Sequence, residues 1–162
     1  MVKLVKVAGG VLVACSMSQF PEYSQQYVQR LGGAVDELSV VVRDFDKSAT
    51  VTGQTRESAL SSMTGTEFLS RRQDDMRRTI TRQEELTENY NVLRDANAYE
   101  RLVYISRLSD TSLLDRTWDD FQPAVPLTLD GLVFTVVGYL AGYGALGAVT
   151  GLRFRRRNRR RV

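Results

Sequence analysis

Apolar residues are concentrated at the two ends of the 162-residue chain, and the region between them is polar. One apolar run extends from Leu4 to Phe20 and carries a single charge, on Lys6, whereas the other extends from Gly131 to Leu152 and carries none. A globular core draws apolar residues from the whole chain, so this is not the distribution of an ordinary soluble domain. A helix of the 22 residues in the second run is about 33 Å long, enough for a hydrocarbon layer of roughly 30 Å. The second run is therefore predicted to be a transmembrane helix.

The N-terminal run admits three interpretations. Its 17 residues form about 25 Å of helix, and Lys6 lies near enough to the start to reach the membrane surface, so a retained membrane helix is feasible. The letters LVAC at 12–15 also fit a lipoprotein signal acylated at Cys15, and ACS at 14–16 fits a cleaved secretory signal. Because the helical pattern continues through residues 17–31, where a lipoprotein has a flexible polar tether, the retained helix is favoured.

Glycine recurs in the C-terminal run at spacings that suit a close contact between helices. Two G-x-x-x-G pairs are present, Gly138/Gly142 and Gly147/Gly151. In a bilayer such a strip lets a second backbone approach closely, and packing replaces the hydrophobic drive that lipid does not supply. The strip is predicted to contact a membrane-protein partner or a second copy of the chain. Gly9 and Gly10 offer a further small surface that is placed to face it within the same chain.

The polar middle is predicted to be helical. Pro21 suits the first turn of a helix, where its missing N–H is not needed. Apolar residues then recur at alternating spacings of four and three, as along a coiled-coil seam, at Tyr27, Leu31, Ala34, Leu38, Val41 and Phe45. A second seam, with one slip after Ile80, comprises Leu69, Met76, Ile80, Leu86, Tyr90 and Leu93. The two helices are predicted to pack antiparallel as a hairpin.

Cap residues divide the middle region further. Thr55 is placed to cap a short helix that ends at Ser62, and Thr66 or Gly65 to start the second arm. A third short helix is predicted from Ser112 to Phe121, after the cap candidates Ser109 and Asp110. The predicted fold is all-α, with a membrane helix at 1–20, an extracytoplasmic helical hairpin at 21–123, a second membrane helix at 124–152 and a tail at 153–162.

Charge is segregated along the chain. Residues 21–123 hold 13 basic and 18 acidic side chains, whereas Lys3 and Lys6 precede them unopposed. Seven arginines follow the second apolar run, namely Arg153, Arg155, Arg156, Arg157, Arg159, Arg160 and Arg161. Because basic residues beside membrane helices stay in the cytoplasm, both termini are predicted to be cytoplasmic and the middle region periplasmic, at a bacterial inner membrane. Contact of the arginines with anionic lipid head groups is favoured over nucleic-acid binding. Trp118 is interpreted as an aromatic residue at the membrane surface.

Composition removes most catalytic constellations. The chain has no histidine and one cysteine, which excludes Ser-His-Asp and Cys-His arrangements, histidine metal sites and an internal disulfide. Arginines between positions 71 and 82 offer a grip on phosphate, but Asp74 and Asp75 are spaced to pair with them along one helix. Glu84, Glu85 and Glu88 lack the histidines of di-metal bundles. No catalytic residue, metal site, cofactor or small-molecule substrate is assigned.

Two blocks that flank the polar middle carry a family resemblance, SQFPEYSQQYVQRLGGAVDEL at 18–38 and FQPAVPLTLDGL at 121–132. Together they resemble an uncharacterised proteobacterial membrane-protein family, domain of unknown function family 2937. The resemblance implies a short protein with an apolar segment at each end and a helical polar region between, and it implies no activity. Cys15 is not part of the family pattern, which weighs against the lipoprotein interpretation.

These observations predict a non-enzymatic membrane scaffold or an accessory subunit of a larger inner-membrane complex. The motivation is the glycine strip together with an amphipathic hairpin that has no recognisable active site. The alternative is a periplasmic lipoprotein-like envelope factor, acylated at Cys15 and anchored again by the second apolar run. A third hypothesis, with the least support, is a hydrolase or transferase that uses Glu84, Glu85, Glu88 or Asp130.

Overall fold

The computed structural model describes residues 2–123 and 129–159, with side chains at 3–123 and 129–149. These ranges contain helices and no strand, which confirms the all-α class for this part of the chain. The α-helices are α1 (Val2–Ser18), α2 (Phe20–Val51), α3 (Arg56–Ser62), α4 (Glu67–Leu93), α5 (Ala98–Val103), α6 (Thr111–Asp119) and α7 (Leu129–Arg159), and a 3-10 helix covers Ile105–Arg107.

The chain forms two compact units. One, the terminal unit, comprises Met1–Gln25 and Asp120–Val162, and the other, the polar unit, comprises Gln26–Asp119. The boundary between the two units falls inside α2. Pro21 lies in the first turn of this helix, where a proline does not remove a helical hydrogen bond. Helices α1 and α7 are therefore in one unit, and α3 to α6 are in the other.

The core of the polar unit is built from large side chains. Tyr27 and Leu31 of α2 and Leu93 of α4 lose all solvent exposure. Around them one cluster gathers Val28, Val35, Leu86, Leu108 and Leu113. A second cluster joins Val42 of α2, Leu60 of α3 and Ile80 of α4. Burial of a Leu or Val side chain of this kind contributes about 1.5–3 kcal/mol, so these clusters are the main source of the unit's stability.

Residues later in α2 contact residues earlier in α4. A Cβ atom placed on Gly32 would lie 3.0 Å from the Tyr90 ring, and further along α2 the Ser39 hydroxyl accepts a hydrogen bond of 3.1 Å from the Gln83 amide. Gln83 explains the slip in the second seam, because this half-buried polar side chain takes the place of an apolar residue between Ile80 and Leu86. Its amide also donates to Thr87, at 3.1 Å.

Two predicted seam positions are wrong. Val41 is 44 % exposed, and its neighbour Val42 is buried instead. Leu69, in the first turns of α4, is exposed as well. The inward-facing positions of α2 are Tyr27, Leu31, Val35 and Leu38. Their spacings are therefore four, four and three residues, and not the strict alternation of four and three. A straight helix of 3.6 residues per turn drifts off a strict 3.5-residue repeat, and the drift moves the buried position by one residue near the end of α2.

The predicted caps are confirmed. The Thr55 hydroxyl accepts a hydrogen bond from the Ser58 N–H at the start of α3, and the Thr66 hydroxyl accepts one from the Leu69 N–H at the start of α4, both at 3.2 Å. The third predicted helix exists as α6, one residue earlier at its start and two at its end. Asp110 provides its cap, because its carboxylate accepts the Leu113 N–H at 3.0 Å.

Helix α5 and the 3-10 helix after it are absent from the sequence prediction. Asn97 and Glu100 form a reciprocal capping box at the start of α5. Arg101 is buried, and its Nε donates to the carbonyl oxygen of Leu93 at 3.2 Å. That carbonyl belongs to the last turn of α4 and has no partner within the helix, so the guanidinium satisfies it and complements the negative end of the helix dipole. Burial lowers the pKa of Arg101, but the group stays charged.

Candidate functional site: the contact between the terminal helices

Helices α1 and α7 pack against each other through glycine. A Cβ atom placed on Gly138 would lie 2.8 Å from the Cβ of Met17 and 2.9 Å from the carbonyl oxygen of Val13. One placed on Gly142 would lie 2.9 Å from the Cβ of Val13 and 3.0 Å from the carbonyl oxygen of Gly9. These distances are too short for real side-chain atoms, and two of the neighbours are backbone. Both positions therefore require glycine for the helices to approach this closely.

The glycines of α1 serve the same contact from the other side. A Cβ atom on Gly10 would lie 3.0 Å from the Tyr139 ring and 3.2 Å from the Tyr139 carbonyl oxygen, and one on Gly9 would clash with the end of the Leu146 side chain. The structure thus brings Gly9, Gly10, Gly138 and Gly142 together within one chain. Gly147 lies near Lys6, and nothing lies within 4 Å of a Cβ placed on Gly144.

Most large apolar side chains of this pair face outward, with the exception of Phe134, which is buried and stacks on Phe20. Leu4 is 74 % exposed and Leu12 is 70 % exposed on α1, and Leu140 is 63 % exposed on α7. Outward valines accompany them, at Val5, Val11, Val133, Val136 and Val137. Two helical stretches are long and apolar enough to cross a membrane, Lys3–Val51, which comprises α1 and α2, and Leu129–Val149 of α7. Only 17 % of the most apolar 18 residues of each stretch is buried. Small residues therefore occupy the contact between the helices while large apolar residues lie on the outer surface. Water favours the reverse arrangement.

Polar groups within the pair are satisfied locally. The Thr135 hydroxyl donates to the Gly131 carbonyl oxygen at 2.7 Å, and the Ser18 hydroxyl donates to the Cys15 carbonyl oxygen at 2.8 Å. In the part of the chain whose side chains are described, no buried side-chain nitrogen or oxygen lacks a hydrogen-bond partner. Such satisfaction is a requirement in a medium without water.

Lys6 is the only charged side chain between residues 4 and 20. Its Nζ lies 5.9 Å from the centroid of the Tyr143 ring of α7, a cation–π distance, and 3.6 Å from a Cβ placed on Gly147. Its aliphatic stem thus covers α7 near the end of the pair that carries the chain's N-terminus. Aromatic pairs mark the opposite end, where the Phe20 and Phe134 rings stack and the Tyr23 ring meets Phe121 edge to face, each at 5.6 Å.

Some predicted site residues are not part of this contact. Cys15 is exposed on α1. Gly151 and the arginines at 153, 155, 156, 157 and 159 lie in α7, and their side chains are outside the described residues, as are Arg160 and Arg161 altogether. Trp118, in the polar unit, is 70 % exposed.

The arginines of α4 are engaged in ion pairs with carboxylates. Asp75 pairs with Arg72 at 3.4 Å and with Arg78, both within the helix. Arg77 instead reaches Glu57 of α3, with a hydrogen bond of 3.0 Å. Arg82 contacts the Asp110 carboxylate at 2.9 Å. The local pairing with Asp75 was expected, whereas the bridges to α3 and to the start of α6 were not.

An open groove of about 850 Å³ in the polar unit is lined by three of these arginines, Arg77, Arg78 and Arg82, together with Leu38, Thr81, Glu85 and Asp110. The groove wall carries both signs of charge, and its arginines already have carboxylate partners. It therefore has the character of a solvated, ion-paired helix face rather than a phosphate site.

The acidic residues proposed for catalysis are spread over different partners. Glu84 lies 3.6 Å from Arg56, and Glu88 lies 2.6 Å from Arg107. Among the described residues, no group of three or more acidic or cysteine side chains is placed to hold a metal ion. The third hypothesis gains no geometric support from these contacts.

The Asp110 carboxylate has several hydrogen-bond and ion-pair partners in the polar unit. Partial burial by itself would raise the pKa of Asp110, but hydrogen bonds from the Ser112 hydroxyl and the Leu113 N–H, with the nearby Arg82 guanidinium, hold it below its ordinary value. The Tyr27 hydroxyl also lies 3.4 Å from the Asp110 backbone nitrogen. Sequence reasoning identified Asp110 as a cap candidate but missed that it joins α2, α4 and α6, because those partners are distant along the chain.

A family model described as a protein of unknown function, DUF2937, matches residues 1–159. Comparisons with curated proteins and with solved structures gave no match.

Proposed function

We propose a function from the geometry and the charge pattern, because the chain belongs to the DUF2937 family, whose description states no activity. The protein is an integral membrane scaffold or accessory subunit without enzymatic activity. Helices α1 and α7 form a packed pair in the bilayer, and the polar unit is a helical hairpin domain on the periplasmic side of a bacterial inner membrane.

The inside-out packing of α1 and α7 supports this proposal most strongly. Gly138 and Gly142 occupy the contact, while Leu4, Leu12 and Leu140 point away from it. In water this arrangement would expose a large apolar surface made of leucine and valine side chains. In lipid the outward leucines are solvated, and glycine contacts provide the packing that holds membrane helices together.

The charge pattern supports the proposed orientation. Lys3, Lys6 and the seven arginines of the tail flank the outer ends of the two apolar runs, and a periplasmic loop of about 100 residues is too long for its own charges to decide the topology. The aromatic pairs Phe20/Phe134 and Tyr23/Phe121 then fall at the periplasmic interface, where aromatic residues are enriched.

A partner helix has a second small surface available on α7. Because Gly138 and Gly142 are already in contact with α1, we assign the partner contact to small residues on the exposed part of the helix surface, which are Ala141, Gly144, Ala145 and Ala148. Their spacing of three or four residues forms a stripe along the helix. The partner is a membrane helix of another subunit or of a second copy.

Photocross-linking in intact membranes tests this assignment. A photoreactive residue at Ala145 should give a covalent protein adduct, because the small face is proposed to meet another helix. The same residue at Leu12, which faces outward from α1, serves as the matched control and should give lipid adducts only. A protein that is strictly monomeric in mild detergent and forms no protein adduct at Ala145 would contradict the accessory-subunit proposal.

The lipoprotein alternative rests on the exposed Cys15 side chain. Acylation there would require removal of residues 1–14, which include Gly9 and Val13, and these two residues lie against Gly138 and Gly142. The retained helix is therefore favoured. The intact mass of the isolated protein decides between the two, since loss of residues 1–14 with added acyl mass would establish the lipoprotein.

A further inference from the structure

An exposed apolar surface lies on the polar unit at α5 and the 3-10 helix that follows. Val103 is 78 % exposed and Ile105 is 55 % exposed, and Leu102 and Tyr104 beside them are exposed as well. Four consecutive exposed apolar or aromatic residues at 102–105 differ from the charged surface of α4. We call these residues the α5 patch.

The α5 patch arises because α5 buries a charged side chain and exposes apolar ones. Its inward face carries Ala98 and the charged Arg101, both buried, while its outward face carries Leu102 and Val103. The inward position of Arg101 is explained by its hydrogen bond to the Leu93 carbonyl oxygen. The outward position of the apolar residues has no such explanation in water, where the opposite orientation is favoured.

The α5 patch lies at the end of the polar unit where the chain enters and leaves. Helix α5 follows Leu93, and Leu93 and Leu108 share a cluster with Tyr27 and Val28, which are among the first residues of the unit. The chain enters the polar unit at Gln26 and leaves it after Asp119, and these are the two chain crossings. Exposed Trp118 lies one residue before the second crossing. Both crossings lead along the chain to the apolar runs at its ends.

We propose that the α5 patch is buried in the interfacial layer of the bilayer, with Leu102, Val103 and Ile105 reaching the head-group and acyl-chain boundary. The proposal rests on the membrane placement proposed above. One observation favours lipid over a protein surface. The chain connects this end of the polar unit directly to both apolar runs, which under the proposed membrane placement keeps the α5 patch close to the bilayer surface.

Depth-dependent fluorescence quenching on the full-length protein tests the proposal. In a Cys15→Ala background, single cysteines at Val103, Val51 or Val136 carry an environment-sensitive fluorophore. The protein is reconstituted into phosphatidylcholine vesicles with phosphatidylglycerol and a lipid whose nitroxide lies near the head-group end of the acyl chain. Val51 is the matched control, because it is also a valine, 78 % exposed, at the end of α2 away from the chain crossings.

We expect the fluorophore at Val103 to emit at shorter wavelength and to be quenched several-fold more strongly than at Val51, since interfacial side chains enter the bilayer by roughly 5–10 Å. Quenching at Val136 but equal, weak quenching at Val103 and Val51 would overturn the proposal and leave the membrane spans intact. Absence of quenching at Val136 would instead refute the spans themselves. A blue shift at Val103 that depends on protein density and not on the nitroxide would assign the α5 patch to a second copy, and would also overturn the proposal.

Discussion

The terminal unit and the polar unit use opposite packing. In the polar unit, Tyr27, Leu31 and Leu93 fill the interior and charged residues such as Arg71 cover the outside. In the terminal unit, Gly138 and Gly142 occupy the interior contact and leucines cover the outside. Both units are helical, so secondary structure does not distinguish them. The medium proposed for each unit explains the difference.

The same residue type therefore has different consequences in the two units. Gly142 lets two backbones approach, and Gly32 leaves room for the Tyr90 ring, whereas nothing lies within 4 Å of a Cβ placed on Gly33 or Gly144. The sequence does not show which role a given glycine has. That role depends on which atoms of the folded chain lie where a side chain would be.

The largest expected effect is in the side-chain core of the polar unit. Leu31→Ala should lower the free energy of unfolding by about 2–5 kcal/mol, because it removes a fully buried side chain and leaves a cavity between α2 and α4. Urea denaturation followed by circular dichroism, on full-length protein in mild detergent, measures the change. Val51→Ala, at a highly exposed position, should stay within about 0.5 kcal/mol of wild type. Equal effects of the two substitutions would contradict the described core.

A smaller effect is expected at the glycine contact of the terminal unit. Gly142→Ala should weaken the α1–α7 contact by about 1–3 kcal/mol, because the added carbon meets Val13 and the Gly9 carbonyl oxygen. Energy transfer between fluorophores at Leu4→Cys and Val149→Cys, in a Cys15→Ala background, follows dissociation of the helices as sodium dodecyl sulfate is added.

Gly144→Ala makes the same chemical change in the same helix and is the control for Gly142→Ala. A Cβ at this position meets nothing within 4 Å, so the dissociation midpoint of the isolated monomer, which lacks the partner helix proposed to meet Gly144, should not move. If the two alanine variants dissociate at the same detergent concentration, the contact does not depend on the glycine at 142.

The contacts of the Asp110 carboxylate should contribute less to the stability of the fold than the glycine contact, and their contribution should depend on pH. Asp110→Ala should cost about 1 kcal/mol through loss of the helix cap, whereas Asp110→Asn keeps a capping oxygen and should cost less. The folded pKa of Asp110 lies below its ordinary value, which is about 3.9 in an unfolded chain. Its ionised form therefore stabilises the fold fully above about pH 4, and this contribution is lost as the pH falls through the folded pKa.

Urea denaturation at a series of acidic pH values measures this contribution. The difference in unfolding free energy between wild type and Asp110→Asn should be constant above about pH 4 and should shrink below it. A difference that stays the same down to the lowest accessible pH would show that Asp110 is not stabilised in its ionised form.

The smallest expected effect is a gain at Gly33. Gly33→Ala should raise the stability of the polar unit by about 0.5–1 kcal/mol, because alanine is the better helix former and the added carbon meets no neighbour. Gly32→Ala should gain less or lose stability, since its Cβ would press on the Tyr90 ring. The same urea denaturation measures both variants, and an equal gain in both would indicate that Tyr90 does not pack on Gly32.

Local signals in the sequence predicted much of this fold. Thr55 and Thr66 cap their helices as expected, because a cap involves residues only three positions apart. Most seam residues were also identified, but Val41 was wrong because a small drift of the helical repeat moves the buried position to Val42.

Interactions between distant residues could not be predicted in the same way. Helix α5 was missed although Asn97 and Glu100 form a capping box that is visible in the sequence, whereas the bond from Arg101 back to Leu93 gives no periodic signal. The glycine contact was foreseen only as one option among several, because the spacing of Gly138 and Gly142 does not identify the helix that they face. Their partner on α1, the helical turn at residues 9–13, is set by the packing of two helices that are more than 100 residues apart in the chain.

Cysteine labelling in cells tests most directly the claim that the terminal pair spans the bilayer with the polar unit outside the cytoplasm. Ser62→Cys is exposed at the end of α3, and Asn158→Cys follows the second apolar run. In a Cys15→Ala background and with the outer membrane permeabilised, a membrane-impermeant maleimide should label Ser62→Cys at once and Asn158→Cys only after the inner membrane is broken. Immediate labelling of Asn158→Cys with protection of Ser62→Cys would contradict the orientation, and immediate labelling of both would contradict a cytoplasmic tail.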